Sequence, residues 1–444
     1  MKTEITLKNI NKLAIPALIA GVAEPILSLT DTAIIGNVDY NAAESLAAVG
    51  IVGTFISMLI WVLGQTRSAI SSIVSQHLGA NELDKVKNLP AQAIFIITSL
   101  SILIIITTWP FASQIFKLYN ASNLILEYSI DYYHIRVFGF PFTLFTIAIF
   151  GTFRGLQNTF YPMIIAIIGT IVNVILDFAL VYGIEGVVSP MHIKGAAYAS
   201  VIAQIIMALC SAYFLLKKTD ISLRITFPFN SEIKNFTIMI LNLFVRTLAL
   251  NATLYFATRF ATSYGTEYIA AYTIAINLWF LGAFIIDGYA SAGNILSGKY
   301  LGAKNYKKLV ELSQFLIKCG IGVGVILTAL GLLSYNFVGS IFTQDQLVLD
   351  EFYKVFWIVL VMQPFCALAF IFDGIFKGMG KMKFLRNLLI LSTGLVFIPV
   401  LFLLDSYNLK LYAVFIALTL WIIARGIPLI IKFRQQFLSL SQKT

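Results

Sequence analysis

Residues 91–109 read AQAIFIITSLSILIIITTW, a run with no charged side chain and close to the roughly 20 residues that an α-helix needs to cross a hydrocarbon core. Runs of the same kind recur from one end of the chain to the other, with neither the period of two expected of strands nor the one-sided stripe of a soluble helix. Of the 444 residues 59% are hydrophobic and 12% charged, against about 25% charged in an ordinary soluble domain. The reading is an all-α integral membrane protein.

Hydropathy places segments near 10–36, 45–76, 90–113, 126–154, 160–183 and 195–216, then near 233–263, 268–298, 309–336, 350–376, 384–404 and 410–431. These are twelve transmembrane helices. Two of them, 45–76 and 268–298, outrun the bilayer core, so each is expected to tilt or to project beyond it. The opening MKTEITLKNINK runs into an apolar stretch without the short core and small-residue cleavage site of a signal peptide, and the first helix is expected to be retained.

The net charge of +10 does not form a basic stripe interleaved with exposed aromatics, so nucleic acid is not an expected partner. The basic residues sit in short connections: Lys85 and Lys87, Lys217 to Arg224, Lys304 to Lys308, Lys381 to Arg386, and Lys432 with Arg434. The intervening connections offer little beyond Lys117, Lys194 and Lys410. By the positive-inside rule both termini are expected in the cytoplasm. Cys210, Cys319 and Cys366 all lie inside apolar segments, and His77, His134 and His192 are dispersed, so no metal site or disulfide framework is expected. No GxxxxGK[ST] loop for nucleotide is present.

The chain repeats itself at a constant offset in the numbering: Leu78, Gly79, Ala80 and Lys85 match Leu301, Gly302, Ala303 and Lys308. At the same offset Pro141 matches Pro364, and Arg154 with Gly155 matches Lys377 with Gly378. Two matches in one register predict two six-helix lobes, 1–217 and 231–444, joined by a polar cytoplasmic linker at 218–230. An even number of helices per copy inserts both the same way up, related by an axis along the membrane normal with a cavity between them.

Ionisable groups at membrane depth cost several kcal/mol and mark candidate sites. They are Glu24, Asp31, Asp177, Asp287 and Asp373, with Arg136, Arg246, Arg259 and Arg425 as available partners. Glu24 and Asp31 are two helical turns apart on the first helix; Asn173 and Asp177 are one turn apart on the fifth, so each pair shares a face. Carried forward by the repeat offset, Asp31, Asn173 and Asp177 fall on Leu254, Val396 and Val400, so the shared scaffold does without these polar groups in its second copy. A buried carboxyl takes up a proton more readily as water leaves it, which can couple protonation to helix movement. The plainer alternative, that these acids pair with Arg or Lys, carries most weight for Asp287 and for Asp373, which lies one helical turn before Lys377. Pro16 and Pro25 flank Gly21 on the first helix and permit a kink there.

In several ordered motifs the chain resembles the multidrug and toxic compound extrusion (MATE) family, in its DinF-like branch. They are LAIPA at 13–17, TDTAIIG at 30–36, QHLGA at 76–80, RGLQNT at 154–159, NVILD at 173–177, GAAYAS at 195–200 and FDGIFKG at 372–378. The resemblance covers nearly the whole chain. It implies a V-shaped pair of pseudo-symmetric six-helix bundles in a bacterial cytoplasmic (inner) membrane, monomeric, exporting organic cations or amphipathic toxins. No cofactor is implied, and the coupling ion is H+ or Na+. Carried over by position, Asp31 is the acid of the first helix, Pro16 its kink proline, Asn173 and Asp177 the polar pair of the fifth, and Ser200 stands where relatives often have Thr. A sodium ion would sit at Asp31, Asn173 and Asp177; Glu24, Asp287 and Asp373 are left for substrate or gating. Helix 7 lacks the carboxylate of some sodium-coupled branches, which favours H+.

Three other functions compete with this one. A flippase for lipid-linked oligosaccharide should carry a strongly cationic cavity for pyrophosphate, an intramembrane aspartyl protease should place its second Asp in a GlyXaaGlyAsp setting, and a passive channel does not need two repeated lobes.

Overall fold

The computed structural model describes residues 4–38 and 41–442; the side chains of residues 23–25, 28 and 29 are outside the described set. The first helix, α1, spans Leu7–Ile35. Eleven more are long and apolar enough to cross a membrane: α2 Ala42–Gly79, α3 Leu83–Lys117, α4 Asn123–Gly155, α5 Phe160–Val181, α6 His192–Lys218, α7 Glu232–Ser263, α8 Thr266–Gly302, α9 Tyr306–Leu333, α10 Gln346–Gly378, α11 Met382–Ser406 and α12 Leu411–Ser441. Each expected segment coincides with one of these twelve.

Only helices let each segment satisfy its own backbone where no water is at hand. At 38 and 37 residues, α2 and α8 are about 55 Å long at 1.5 Å per residue, against a core of about 30 Å. Both therefore project beyond the hydrocarbon, as their length in sequence requires. Along α3 the residues Ile102, Leu103 and Ile106 remain exposed while Ala93, Ile94 and Ile97 are buried, so the helix turns one apolar face to lipid and another to protein.

The repeat reappears as helix register. Helices α3 and α4 begin at Leu83 and Asn123, α9 and α10 at Tyr306 and Gln346, each start separated from its counterpart by the offset that relates Leu78 to Leu301. The ends of α2 and α8, Gly79 and Gly302, and of α4 and α10, Gly155 and Gly378, keep the same offset. Helix α11 starts at Met382, within one residue of the Lys383 to which the offset carries the Phe160 start of α5, and it contains a π-turn at Thr393–Phe397. At the level of Asn173 and Asp177 either count meets apolar positions.

By its contacts the chain divides into two units, one of Met1–Leu18, Ser75–Asn81 and Leu241–Thr444, the other of Ile19–Val74 and Glu82–Ile240. In the second, α4 presents Gly151 and Gly155 to α2: a Cβ on Gly151 would overlap the carbonyl of Arg67, and one on Gly155 would overlap the Val74 side chain. The first unit repeats this contact at the repeat-related positions, with Gly374 against the carbonyl of Ala290 and Gly378 against that of Asn294. The same unit holds a third close approach, where Gly79 lies on the carbonyl of Lys299 and Gly302 on that of Gln76. The Gln76 Nε2 also donates to the carbonyl of Gly378 at 2.9 Å.

Pro364, inside α10, removes the donor that would have served the Leu360 carbonyl. Thr328 Oγ1 of α9 donates to that carbonyl instead at 2.8 Å, and Gly324, one turn earlier, leaves room for the proline.

These contacts sort the glycines. Gly302→Val pushes a methyl-bearing carbon into a backbone carbonyl and is expected to destabilise by about 3 kcal/mol, whereas Gly50→Ala, with nothing within 4 Å of the added Cβ, is expected to be neutral or slightly stabilising. Thermal unfolding midpoints in detergent check both, and equal midpoints would contradict the packing described.

Candidate functional site

Asp31 lies near the end of α1, 2% exposed, and helices α4, α5 and α6 each bring one hydrogen-bond donor to it. Ser200 Oγ donates to Asp31 Oδ2 at 2.8 Å. Asn173 Nδ2 donates to Oδ1 at 3.4 Å and Tyr132 Oη to Oδ2 at 3.4 Å. Asn173 Nδ2 also stands 3.4 Å from Ser200 Oγ, so amide and hydroxyl hold each other as well as the acid. The short bond to Ser200 is the strong one, since hydrogen bonds to a charged acceptor weaken quickly with length.

Asp177 is fully buried one turn beyond Asn173, on the face of α5 opposite Ile171, Ile175 and Phe178, which are exposed. Neither of its carboxyl oxygens accepts a hydrogen bond among the described residues, and Asn173 Oδ1 is likewise without a donor. The group that faces Asp177 within hydrogen-bonding reach is the carboxyl of Asp31. Two carboxylates offer only lone pairs to each other, so a bond between them requires a proton on one. An oxygen-coordinated monovalent cation is the other way to satisfy the same lone pairs.

Arg136, 7% exposed, is the cation whose field reaches both acids. Its Nη1 donates to Gln204 Oε1 at 2.9 Å, and Gly139 is bare because any Cβ there would strike that same amide oxygen. Two carboxyls and one guanidinium in a dry setting leave one negative charge over, which a single proton or a single monovalent cation cancels.

Tyr132 and Gln204 have no place in the sequence reading. Each stands one helical turn from a residue that does, Tyr132 from Arg136 on α4 and Gln204 from Ser200 on α6. With Asn173 and Asp177, all three helices carry a polar pair at the same spacing, and that pattern within apolar segments is the signal that finds them.

The remaining candidates are elsewhere or apart. The expected shared face of Glu24 and Asp31 lies outside the described residues, since the side chain of Glu24 is not among them. Asp287 is exposed on α8. Asp373, in the other unit, is ion-paired on both oxygens: Arg246 Nη2 lies 2.7 Å from Oδ1 and Lys377 Nζ 2.8 Å from Oδ2. Arg259 is exposed on α7. Arg425 on α12 is 4% exposed and stacked on aromatics, its guanidinium carbon 4.6 Å from the centre of the Trp421 ring and 5.8 Å from that of Phe370. Pro16 lies in α1, which runs through it without a break. Of the three free cysteines, Cys366 accepts from Trp279 Nε1 at 3.2 Å.

Known proteins place the chain. The MatE family model matches residues 16–179 and 242–403, one block in each half of the chain. "DNA damage-inducible protein F" of Escherichia coli (strain K12) is 25% identical over 435 residues, covering 96% of this chain and 91% of that protein. "Probable multidrug resistance protein NorM" of Photorhabdus laumondii subsp. laumondii is 25% identical over 390 residues, covering 84% of this chain and 82% of its own length. Among solved structures, "Crystal structure of MATE in the bent conformation" superposes with a TM-score of 0.90 at 22% identity, over 98% of this chain and 96% of that one. The chain belongs to the MatE family and is a multi-pass membrane transporter of the multidrug and toxic compound extrusion type, not an enzyme.

Proposed function

We propose that the chain is a secondary active exporter of organic cations or amphipathic toxins in exchange for H+, with Na+ as the alternative ion, and that Asp31, Asn173, Asp177 and Ser200 carry the coupling. The observation that supports this most is the pair of facing, buried carboxyls of Asp31 and Asp177 within the field of a single guanidinium. An acid pair that needs one positive charge when closed off, and none when open to water, ties ion uptake to helix rearrangement. The name of the Photorhabdus relative, a multidrug resistance protein, supports the cargo class.

In this reading the lobes 1–217 and 231–444 rock about the linker 218–230 by alternating access. Pro16 is the point at which α1 bends. Asp287, exposed on a membrane helix, serves cargo or gating together with Glu24 and Asp373. The protein works as a monomer in a bacterial inner membrane with both termini cytoplasmic.

The test is efflux of a fluorescent organic cation from proteoliposomes under an imposed pH or Na+ gradient. Wild type is expected to concentrate cargo against its gradient under one of the two, which names the ion, and folded Asp31→Asn and Asp177→Asn to lose at least nine-tenths of that flux. Undiminished transport in both variants, or none by wild type under either gradient, would sink the proposal. Within the site, Ser200→Ala removes the shortest bond to Asp31 and is expected to slow coupled flux about tenfold, in line with about 1.5 kcal/mol for a charged hydrogen bond. Tyr132→Phe, which removes a long one, is expected to change it less than twofold in the same assay.

A further inference from the structure

The unit that lacks the acid pair has the opposite imbalance of charge. Arg246 on α7, Lys377 on α10 and Arg425 on α12 gather around one acid, Asp373. Each oxygen of Asp373 is engaged by one cation, Oδ1 by Arg246 and Oδ2 by Lys377. Arg425 meets no hydrogen-bond acceptor among the described residues and has only the faces of Trp421 and Phe370. The titratable groups that reach it are Arg246, Asp373 and the Cys366 thiol. Arg246 Nε is also buried without a partner. One carboxylate offsets one of three cations, and two buried positive charges remain.

A scaffold role does not account for this set. The position that the repeat pairs with Asp373 is Phe150, so the repeated fold closes at the same place without an acid. An ion pair kept for packing would need one guanidinium, and a second one largely buried against aromatic faces is costly unless something anionic answers it. Planar guanidinium forks match carboxylate and phosphate oxygens, and the Trp421 ring 4.6 Å from the Arg425 guanidinium carbon restricts where that fork can lie.

We propose that Arg246, Lys377 and Arg425 form an anion-binding site inside this unit that takes the carboxylate or phosphate group of a small molecule or a lipid headgroup. Arg425 is the primary contact, and Asp373 is the internal anion that the ligand displaces or supplements. The site goes beyond the exchange reading above and does not rest on it, because it lies in the other unit and binding needs no gradient.

The Trp421 indole on the Arg425 guanidinium supplies the readout. The full chain in phosphatidylcholine nanodiscs is titrated with inorganic phosphate, with benzoate, and, in a separate arm, with phosphatidylglycerol built into the disc, while tryptophan fluorescence is followed; Trp421→Phe identifies the signal. A saturable, Trp421-dependent response is expected in at least one arm. A response to the soluble anions marks a free small-molecule ligand, and one confined to phosphatidylglycerol marks a headgroup. Arg425→Gln is expected to weaken the apparent affinity at least tenfold and Arg425→Lys less. Asp373→Asn, which removes the competing carboxylate, is expected to tighten it. No saturable response in any arm, or the same affinity in folded Arg425→Gln, would overturn the proposal and leave the exchange reading standing.

Discussion

Everything in this fold depends on how closely helix backbones can approach where no hydrophobic effect pushes them together. In a bilayer the lipid tails are as apolar as leucine, and association rests on van der Waals contact over surfaces that small residues make flat. Here the contacts are made by glycines set one turn apart, Gly151 with Gly155 and Gly374 with Gly378, each lying on backbone or a short side chain of the neighbouring helix. With α4 and α10 fixed in this way, Tyr132 and Arg136 on α4 acquire a defined height and face. The buried charges can then be placed to within hydrogen-bond length, which an assembly held by lipid-like side chains alone would not ensure.

The two charge clusters use that rigidity in opposite senses. One holds two carboxyls against one guanidinium, the other one carboxylate against three cations. In water at physiological ionic strength such imbalances are screened over about 8–10 Å; at membrane depth each uncancelled charge costs kilocalories and calls for a counterion. The acids of both clusters fall on apolar positions in the other copy of the repeat, so the scaffold tolerates them without needing them.

Much of this was legible in the sequence, for physical reasons. Segment positions follow from apolar run length because the bilayer thickness is fixed, and the repeat register survives in the helix ends because glycine contacts lock it. Asp31, Asn173, Asp177 and Ser200 come together as the motifs imply. Tyr132 and Gln204 carry only a weak signal, a polar partner one turn away within an apolar segment, and it takes on meaning once the helices bearing them are known to meet. Arg425 was visible as a membrane-depth cation, yet only the packing shows that Asp373 pairs with Arg246 and Lys377 rather than with it. The π-turn in α11 was hidden for a related reason: it adds a residue without changing the hydropathy of the run.

The crossing at Gly79 and Gly302 has the form of an isologous interface: position 79 meets position 299, position 302 meets position 76, and the repeat exchanges the two contacts. In a dimer of identical six-helix chains, such a self-complementary patch would tie every substitution to its mirror image. With both copies encoded in one chain, the two sides vary separately, and the patch can stay symmetric while its surroundings do not. A symmetric crossing shared by unlike copies is what lets one polypeptide keep an acidic interior in one copy and a basic one in the other.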